Sequence, residues 1–139
     1  MKKTYIDKPN TLPALQGARV AYSDAVRIDL ADHTLLYVSG KIGVGPDGKV
    51  TCRDMLGQTR ATFENIRETI ERQGGTMTDI VRVRIYVSAI DEASIRDVHD
   101  VRREYFKEGE FPASTLVRVD QFVRDDALIE IEADVVMKR

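Results

Sequence analysis

The residues with the clearest chemical potential in this chain are carboxylates near its carboxyl end. Along residues 129–135, acidic and apolar side chains alternate: Glu130, Glu132 and Asp134 against Ile129, Ile131, Ala133 and Val135. This period of two predicts a β-strand with one apolar face and one acidic face. Such an acidic face must meet water, basic partners or a ligand.

Small polar residues stand at the ends of two other predicted strands. Ser39 and Gly40 close an apolar run over residues 34–40, and this small pair leaves room for a ligand or for another backbone. Ser114 opens a strand over residues 114–119, directly after Pro112-Ala113 breaks a helical pattern. Ligand contact and close strand packing both explain Ser39-Gly40, whereas Ser114 is expected to line a cleft without doing chemistry.

Basic residues offer the carboxylates a purely structural role. Residues 80–87 predict a strand that carries Arg82 and Arg84 on one face together with Tyr86. Either arginine would pair with Glu130 across the sheet, and such pairs add well under about 1 kcal/mol each. The apolar residues expected on the opposite face are Val81, Val83, Ile85 and Val87.

Two helices are predicted from apolar residues at steps of three and four. The first runs from a start signal at Thr51 and Asp54 to Gly74-Gly75, and its inward residues are Leu56, Thr59, Phe63, Ile66 and Ile70. The second begins after Asp91 and stops at Gly109, and its inward residues are Ile95, Val98, Val101 and Tyr105. Gly57 inside the first helix costs about 1 kcal/mol against alanine, which indicates a packing reason.

The order of elements predicts an α+β domain. Strands, helix, strand, helix, strand and strand place both helices on one face of a mixed sheet and leave the other face uncovered. Because that uncovered face carries both signs of charge, we expect a subunit interface there. Residues 1–139 are expected to form a single domain in which residues 1–21 are a poorly defined N-terminal arm, since Pro9, Asn10, Pro13 and Gly17 disfavour regular structure.

Composition excludes several classes of protein. The chain has 139 residues, 42% of them apolar and 32% charged, with a formal net charge of −2, which argues against a protein that coats nucleic acid. One cysteine and two histidines cannot form a disulfide framework or a Cys/His metal site. No apolar run approaches the roughly 20 residues of a membrane span, so a cytoplasmic protein without membrane or nucleic-acid partners is expected.

Several segments, in this order, resemble the Rid family of reactive intermediate deaminases, also called YjgF-type proteins. They are Tyr22-Ser23 with Ala25-Val26, residues 37–40, Phe63 with Asn65-Ile66, residues 111–113, and residues 129–133. The resemblance covers roughly Ser23 to Met137. It implies a chorismate-mutase-like fold and a homotrimer whose sheets form a central barrel with three ligand clefts between subunits. It also implies hydrolysis of enamines and imines such as 2-aminoacrylate to a keto acid and ammonia, without a cofactor.

The resemblance assigns roles to four residues of this chain, but a fifth functional residue of the family has no match here. Tyr22 matches the family's tyrosine, Ser39 with Gly40 its strand-end serine, and Glu130 its water-positioning glutamate. Active members have an arginine that grips the substrate carboxylate, but this chain has Ser114 there. A serine hydroxyl cannot replace a bidentate guanidinium. Arg118 lies about 13 Å further along the strand, which leaves Arg27 or the next subunit to supply a cation.

Three hypotheses therefore stand. The first is an enamine or imine deaminase in which Glu130 orients water, with a substrate larger or less anionic than 2-aminoacrylate. The second is a non-catalytic trimer that binds a small metabolite in the same clefts. The third is nucleic-acid cleavage, which is attributed to some family members and is disfavoured by the acidic balance of this chain.

Overall fold

The computed structural model describes residues 1–7 and 20–139. Within them, a six-stranded mixed sheet carries two helices on one face, which confirms the predicted α+β class. The strands are β1 Lys2–Ile6, β2 Ala25–Asp29, β3 His33–Lys41, β4 Ile80–Val87, β5 Ala113–Arg118 and β6 Ile129–Lys138. The helices are α1 Met55–Arg72 and α2 Glu92–Tyr105, and a 3-10 turn at Met77–Asp79 precedes β4.

The sheet has the strand order β1-β2-β3-β6-β4-β5. Every neighbouring pair is antiparallel except β4 and β5, which are parallel and are connected through α2. The alternation predicted for β6 is confirmed, because Ile129, Ile131 and Ala133 are fully buried beneath the helices while Glu130 and Glu132 lie on the opposite face. Phe63 and Ile66 of α1 complete that core.

The amino-terminal residues correct one expectation. Lys2–Ile6 form an edge strand that pairs with β2 along its whole length, in place of the expected arm. Its backbone partners come from residues 25–29, about twenty positions away, so local composition gave no signal for it. The prolines and glycine that motivated the arm lie outside the described residues.

Strand β4 contains an irregularity that overturns the predicted apolar face at its start. Val81, which was expected on the apolar face, is 48% exposed, and Ile80 is buried in its place. The register with β6 shifts between Ile80 and Arg82, so one additional residue is accommodated there. Because a β-bulge reverses the direction in which residues before it point, the alternation counted back from Val83 fails at Val81.

The helix ends follow the predicted chemistry with two corrections. Asp54 alone caps α1, since its Oδ1 accepts from the Gly57 amide at 2.6 Å, and Thr51 takes no part. A Cβ on Gly57 would lie 2.7 Å from the Cβ of Cys52, which is the expected packing reason for glycine. Asp91 caps α2 as expected, but this helix ends at Tyr105 and not at Gly109, because Phe106 turns into the core in an extended conformation.

The sheet face opposite the helices is uncovered in the single chain. Glu132, Asp134, Arg84 and Tyr86 lie on it in partly buried positions. Large apolar side chains stand beside them with more than a third of their surface exposed: Tyr37, Val81, Val117 and Val136. We call this surface the open face.

Candidate active site

The contact between Glu130 and Gly40 is the centre of the candidate site. A Cβ built on Gly40 would lie 2.4 Å from Glu130 Oε1 and 3.0 Å from its Cδ. The carboxylate of β6 therefore rests directly on the backbone of β3, at a position where only glycine leaves space. The structure thus joins two of the residues singled out from the sequence.

Glu130 differs from its two acidic neighbours in its charge environment. Arg84 forms ion pairs with both of these neighbours. Its Nη2 is 3.2 Å from Asp134 Oδ2, and its Nη1 is 3.4 Å from Glu132 Oε1. Among residues 1–7 and 20–139, Glu130 forms no ion pair, so the structural role considered for it with Arg82 or Arg84 is not observed. Burial, followed by the negative charge of Glu132, raises the pKa of Glu130.

Tyr86 stands directly across the strand pair from Glu130. Its hydroxyl is 3.4 Å from Glu132 Oε1, and burial together with the nearby Glu132 raises the pKa of Tyr86. Tyr86 is therefore a neutral hydrogen-bond donor at ordinary pH. A half-buried carboxylate with an elevated pKa, bordered by a phenol and a bare backbone, has the groups needed to hold a water molecule and accept its proton.

The Ser39-Gly40 pair forms a bulge in β3. Val38 pairs with Ala133 and Lys41 with Ile131, so two residues of β3 stand opposite one residue of β6. The Ser39 hydroxyl donates to the Ser23 carbonyl at 2.7 Å, which attaches the segment before β2 to the bulge. Its oxygen lone pairs remain available to accept from a ligand. Tyr22, adjacent to Ser23, is 53% exposed.

A buried ion pair fixes the far side of the same bulge. Lys41 pairs with Asp24, and the second carboxylate oxygen of Asp24 accepts from Thr69 Oγ1 of α1 at 3.1 Å. Burial lowers the pKa of Lys41, although Asp24 opposes that shift. Asp24 also accepts the Ser39 amide through its backbone carbonyl at 3.0 Å. The bulge is therefore bonded to the segment before β2, which is itself bonded to α1.

Gln58 of α1 holds the segment before β6 in place through hydrogen bonds. Its role was not predicted from the sequence. Its amide nitrogen donates to the Cys52 carbonyl at 3.0 Å and to the Asp126 carbonyl at 2.8 Å, and its oxygen accepts from the Leu128 amide at 2.7 Å. These bonds fasten the segment that enters β6 two residues before Glu130. The available signal was a polar residue on the inward face of α1, directly before Thr59.

Ser114 lies apart from Glu130 within one chain. It stands opposite Val83 on the edge strand β5, and Val83 faces the helices, whereas Glu130 is on the open face. Its hydroxyl accepts from Arg102 Nη1 of α2 at 3.0 Å. Sequence analysis missed Arg102, although a charged residue four positions after the inward Val98 was the signal.

The other arginines considered as substitutes are engaged elsewhere. Arg27 contacts Asp29 Oδ1 at 2.9 Å and donates to the Gln73 carbonyl at 2.7 Å. Arg118 is paired with the exposed Asp120 at 3.3 Å. Neither side chain is oriented toward Ser114 by these contacts.

Two further properties concern the described part of the chain as a whole. No group of three or more His, Cys, Asp or Glu side chains within it is arranged to hold a metal ion. None of its helices is both long enough and apolar enough to cross a membrane.

Comparison with solved structures shows which class of fold this is. A member of the YjgF/YER057c/UK114 family from Mycobacterium tuberculosis superimposes with a TM-score of 0.74 at 31% identity, over 96% of this chain and 98% of the other. A protein of the conserved Rid family from Yersinia pestis superimposes with a TM-score of 0.77 at 31% identity and the same coverage. The chain therefore has the YjgF-type fold.

Sequence comparison leads to the same group. The model of the family described as Endoribonuclease L-PSP matches residues 13–137. A RutC family protein of Pyrococcus abyssi is 31% identical over 113 residues, which are 81% of this chain and 83% of that protein. A protein of Dermatophagoides farinae named 2-iminobutanoate/2-iminopropanoate deaminase is 28% identical over 118 residues, 84% of this chain and 86% of that protein. The chain belongs to this Rid/YjgF/RutC family.

Proposed function

We propose that this protein is a cofactor-independent hydrolase that deaminates a small reactive enamine or imine to a carbonyl compound and ammonia. The proposal further places the reaction in clefts between the subunits of a homotrimer. The similarity to a protein named as an imine deaminase supports the reaction class. The observation that carries the proposal is the half-buried carboxylate of Glu130, which lies on the backbone of Gly40 and forms no ion pair with the residues that the structure describes.

In the reaction, a water molecule held by Glu130 attacks the carbon of the C=N bond. The substrate reacts as its protonated imine, so when Glu130 accepts one proton from that water as the C–O bond forms, the product is a neutral carbinolamine. The same carboxyl group then returns that proton to the nitrogen. As the C–N bond breaks and ammonia leaves, the Glu130 carboxylate accepts the proton of the carbinol hydroxyl, which yields the carbonyl compound. A raised pKa suits Glu130 to both steps, because it brings the acid and base forms closer in free energy near neutral pH.

The remaining candidate residues hold the substrate in this scheme. Since the Ser39 hydroxyl already donates to the Ser23 carbonyl, its oxygen would accept from the N–H of an imine. The Gly40 backbone would form the floor of the cleft beside Glu130, and Tyr22 would cover it.

A trimer would allow Ser114 of one subunit and Glu130 of another to contact the same substrate. Ser114 and Glu130 stand on opposite faces of the sheet with β4 between their strands, so a single chain cannot present both to one small molecule. Burying the open face against neighbouring subunits would remove the exposed Tyr37, Val117 and Val136 from water. The same assembly would place the β5 edge of one subunit beside the next.

Ammonia release from a panel of imines tests the proposal. Amino-acid oxidases would generate the imines in place, from alanine through larger apolar and polar amino acids. We expect acceleration for at least one larger imine and weak or absent turnover of 2-iminopropanoate, because the family resemblance implies a carboxylate-binding arginine at the position of Ser114.

Two other outcomes would redirect the assignment. Saturable binding of the corresponding keto acids without any turnover would favour the metabolite-binding trimer. Cleavage of a single-stranded RNA, unaffected by change of Glu130, would favour the ribonuclease that the family description names.

A further inference from the structure

The buried guanidinium of Arg102 is unexplained by the fold. Arg102 is only 6% exposed, yet it forms no ion pair with any of the residues that the structure describes. Its Nε is buried without a hydrogen-bond partner in that same set, and its one side-chain bond is to Ser114 Oγ. Burial lowers the pKa of Arg102.

An unpaired guanidinium in such a place is costly. Burying a charge without a partner costs several kcal/mol in proteins, and an apolar side chain of similar size would remove that cost. Arginine nevertheless stays charged at all accessible pH values. The position therefore keeps a positive charge just beneath the surface.

Ser114 connects that charge to the exterior. Its oxygen accepts the bond from Arg102 Nη1, so its own proton is free to point away from the guanidinium. Ser114 is exposed at the start of the edge strand β5. A hydroxyl polarised by a cation behind it is a stronger donor to an anion than an isolated hydroxyl.

We propose that Arg102 and Ser114 form an anion-recognition pair, in which the Ser114 hydroxyl donates to a substrate carboxylate and Arg102 positions and polarises that hydroxyl. This inference rests on the proposed function and names its substrate class. The carboxylate receives one monodentate bond in place of a bidentate clamp, so the rest of the substrate must provide affinity. An imino acid larger than 2-iminopropanoate has both the carboxylate and the additional contact surface.

The test measures binding and not turnover. Pyruvate is the probe, because it is the keto acid that hydrolysis of 2-iminopropanoate yields, and the neutral pyruvamide is its matched control. Titrations followed by NMR give the dissociation constant of each for the full-length protein. We expect wild-type protein to bind pyruvate at millimolar concentrations and to prefer it over pyruvamide.

Variants separate the pair from general structural effects. Ser114→Ala and Arg102→Met should each weaken pyruvate binding by about tenfold or more and change pyruvamide binding by less than about twofold. Arg103→Met is the matched control, because Arg103 is the next residue on α2 and pairs on the surface with Asp100. It should leave both constants unchanged. Arg102→Lys should retain part of the preference for pyruvate.

Several results would overturn the proposal. They are no pyruvate binding by wild-type protein at about 0.1 M, equal losses for pyruvate and pyruvamide, and no effect of Ser114→Ala. If Arg102→Met does not fold, the test rests on Ser114→Ala, because Ser114 is exposed and its truncation should not disturb the fold. If the protein prefers pyruvate through Ser114 but deaminates no imine, the hydrolase proposal is refuted and the Arg102–Ser114 pair is supported. If the protein is an active deaminase without that preference for pyruvate, the Arg102–Ser114 pair is refuted and the hydrolase proposal is supported.

Discussion

Glu130 owes its distinct chemistry to what surrounds it, since Glu132 and Asp134 on the same strand face are also carboxylates. Arg84 pairs with those two, whereas the backbone of Gly40 lies directly beside the Glu130 carboxylate. The sequence predicted that all three would share a face. It could not predict the division among them, because that division depends on which arginine rotamer reaches which carboxylate.

Substitution of Gly40 by alanine tests the contact at the centre of the site. The new Cβ would lie 2.4 Å from Glu130 Oε1 and would displace the carboxylate, so we expect turnover to fall at least about tenfold with a stability cost of about 1–3 kcal/mol. Gly75→Ala is a matched control, since its Cβ would lie 2.5 Å from Met137 Sδ, away from Glu130.

Enzyme assays and chemical denaturation of both variants measure the two effects. Gly75→Ala should show a comparable loss of stability with normal turnover per folded protein. Equal turnover losses in the two variants would show that crowding acts through the fold and not through Glu130.

The pH dependence of stability reports on Glu130 directly. Because its folded-state pKa is raised, the folded protein binds more protons than the unfolded chain between the ordinary glutamate pKa and the raised value. Ionisation of Glu130 therefore lowers stability as the pH rises through that interval. We expect the melting temperature of wild-type protein to fall relative to Glu130→Gln across it. A constant difference between the two proteins would contradict the shift.

At the scale of elements, the sequence predicted which segments are strands and helices but not how their ends are fastened. The alternation in β6 and the helical period in α1 are local signals, and both were confirmed. The edge strand β1, the bulge at Val81 and the polar anchor Gln58 depend on residues between about 20 and 70 positions away. Periodicity within a short window carries no information about such pairings.

Gln58→Met tests how α1 positions the strand that carries Glu130. The change keeps the volume but removes three hydrogen bonds and leaves the buried entry of β6 unsatisfied, so we expect a loss of about 2–4 kcal/mol in the free energy of unfolding. Turnover should fall as well. Thr62→Val, which removes one local bond to the Gln58 carbonyl within α1, should cost about 1 kcal/mol or less.

Urea denaturation and turnover of the two variants provide the comparison. Normal stability in Gln58→Met would show that these three bonds do not hold the segment before β6.

At the scale of the whole molecule, the open face is the surface through which we expect subunits to associate. This uncovered face could be predicted from the sequence because both predicted helices pack on the opposite face of the sheet. We expect light scattering to give three times the chain mass of 15.7 kDa. Val136→Asp, on the open face, should dissociate the trimer because the new charge would be buried without a partner. Val123→Asp, in an exposed loop, should not. A monomeric wild-type protein at micromolar concentration would refute the assembly and the shared clefts together.

The most direct test of Glu130 as the catalytic residue is ammonia release by Glu130→Gln on the best imine substrate of the wild-type protein. The substitution preserves size and removes the basic carboxylate, and Glu130 has no ion pair to lose in the described chain. We predict a fall in turnover of at least about 100-fold, with an unchanged trimer mass and an equal or slightly higher melting temperature. Wild-type turnover by a normally assembled Glu130→Gln protein would contradict the account.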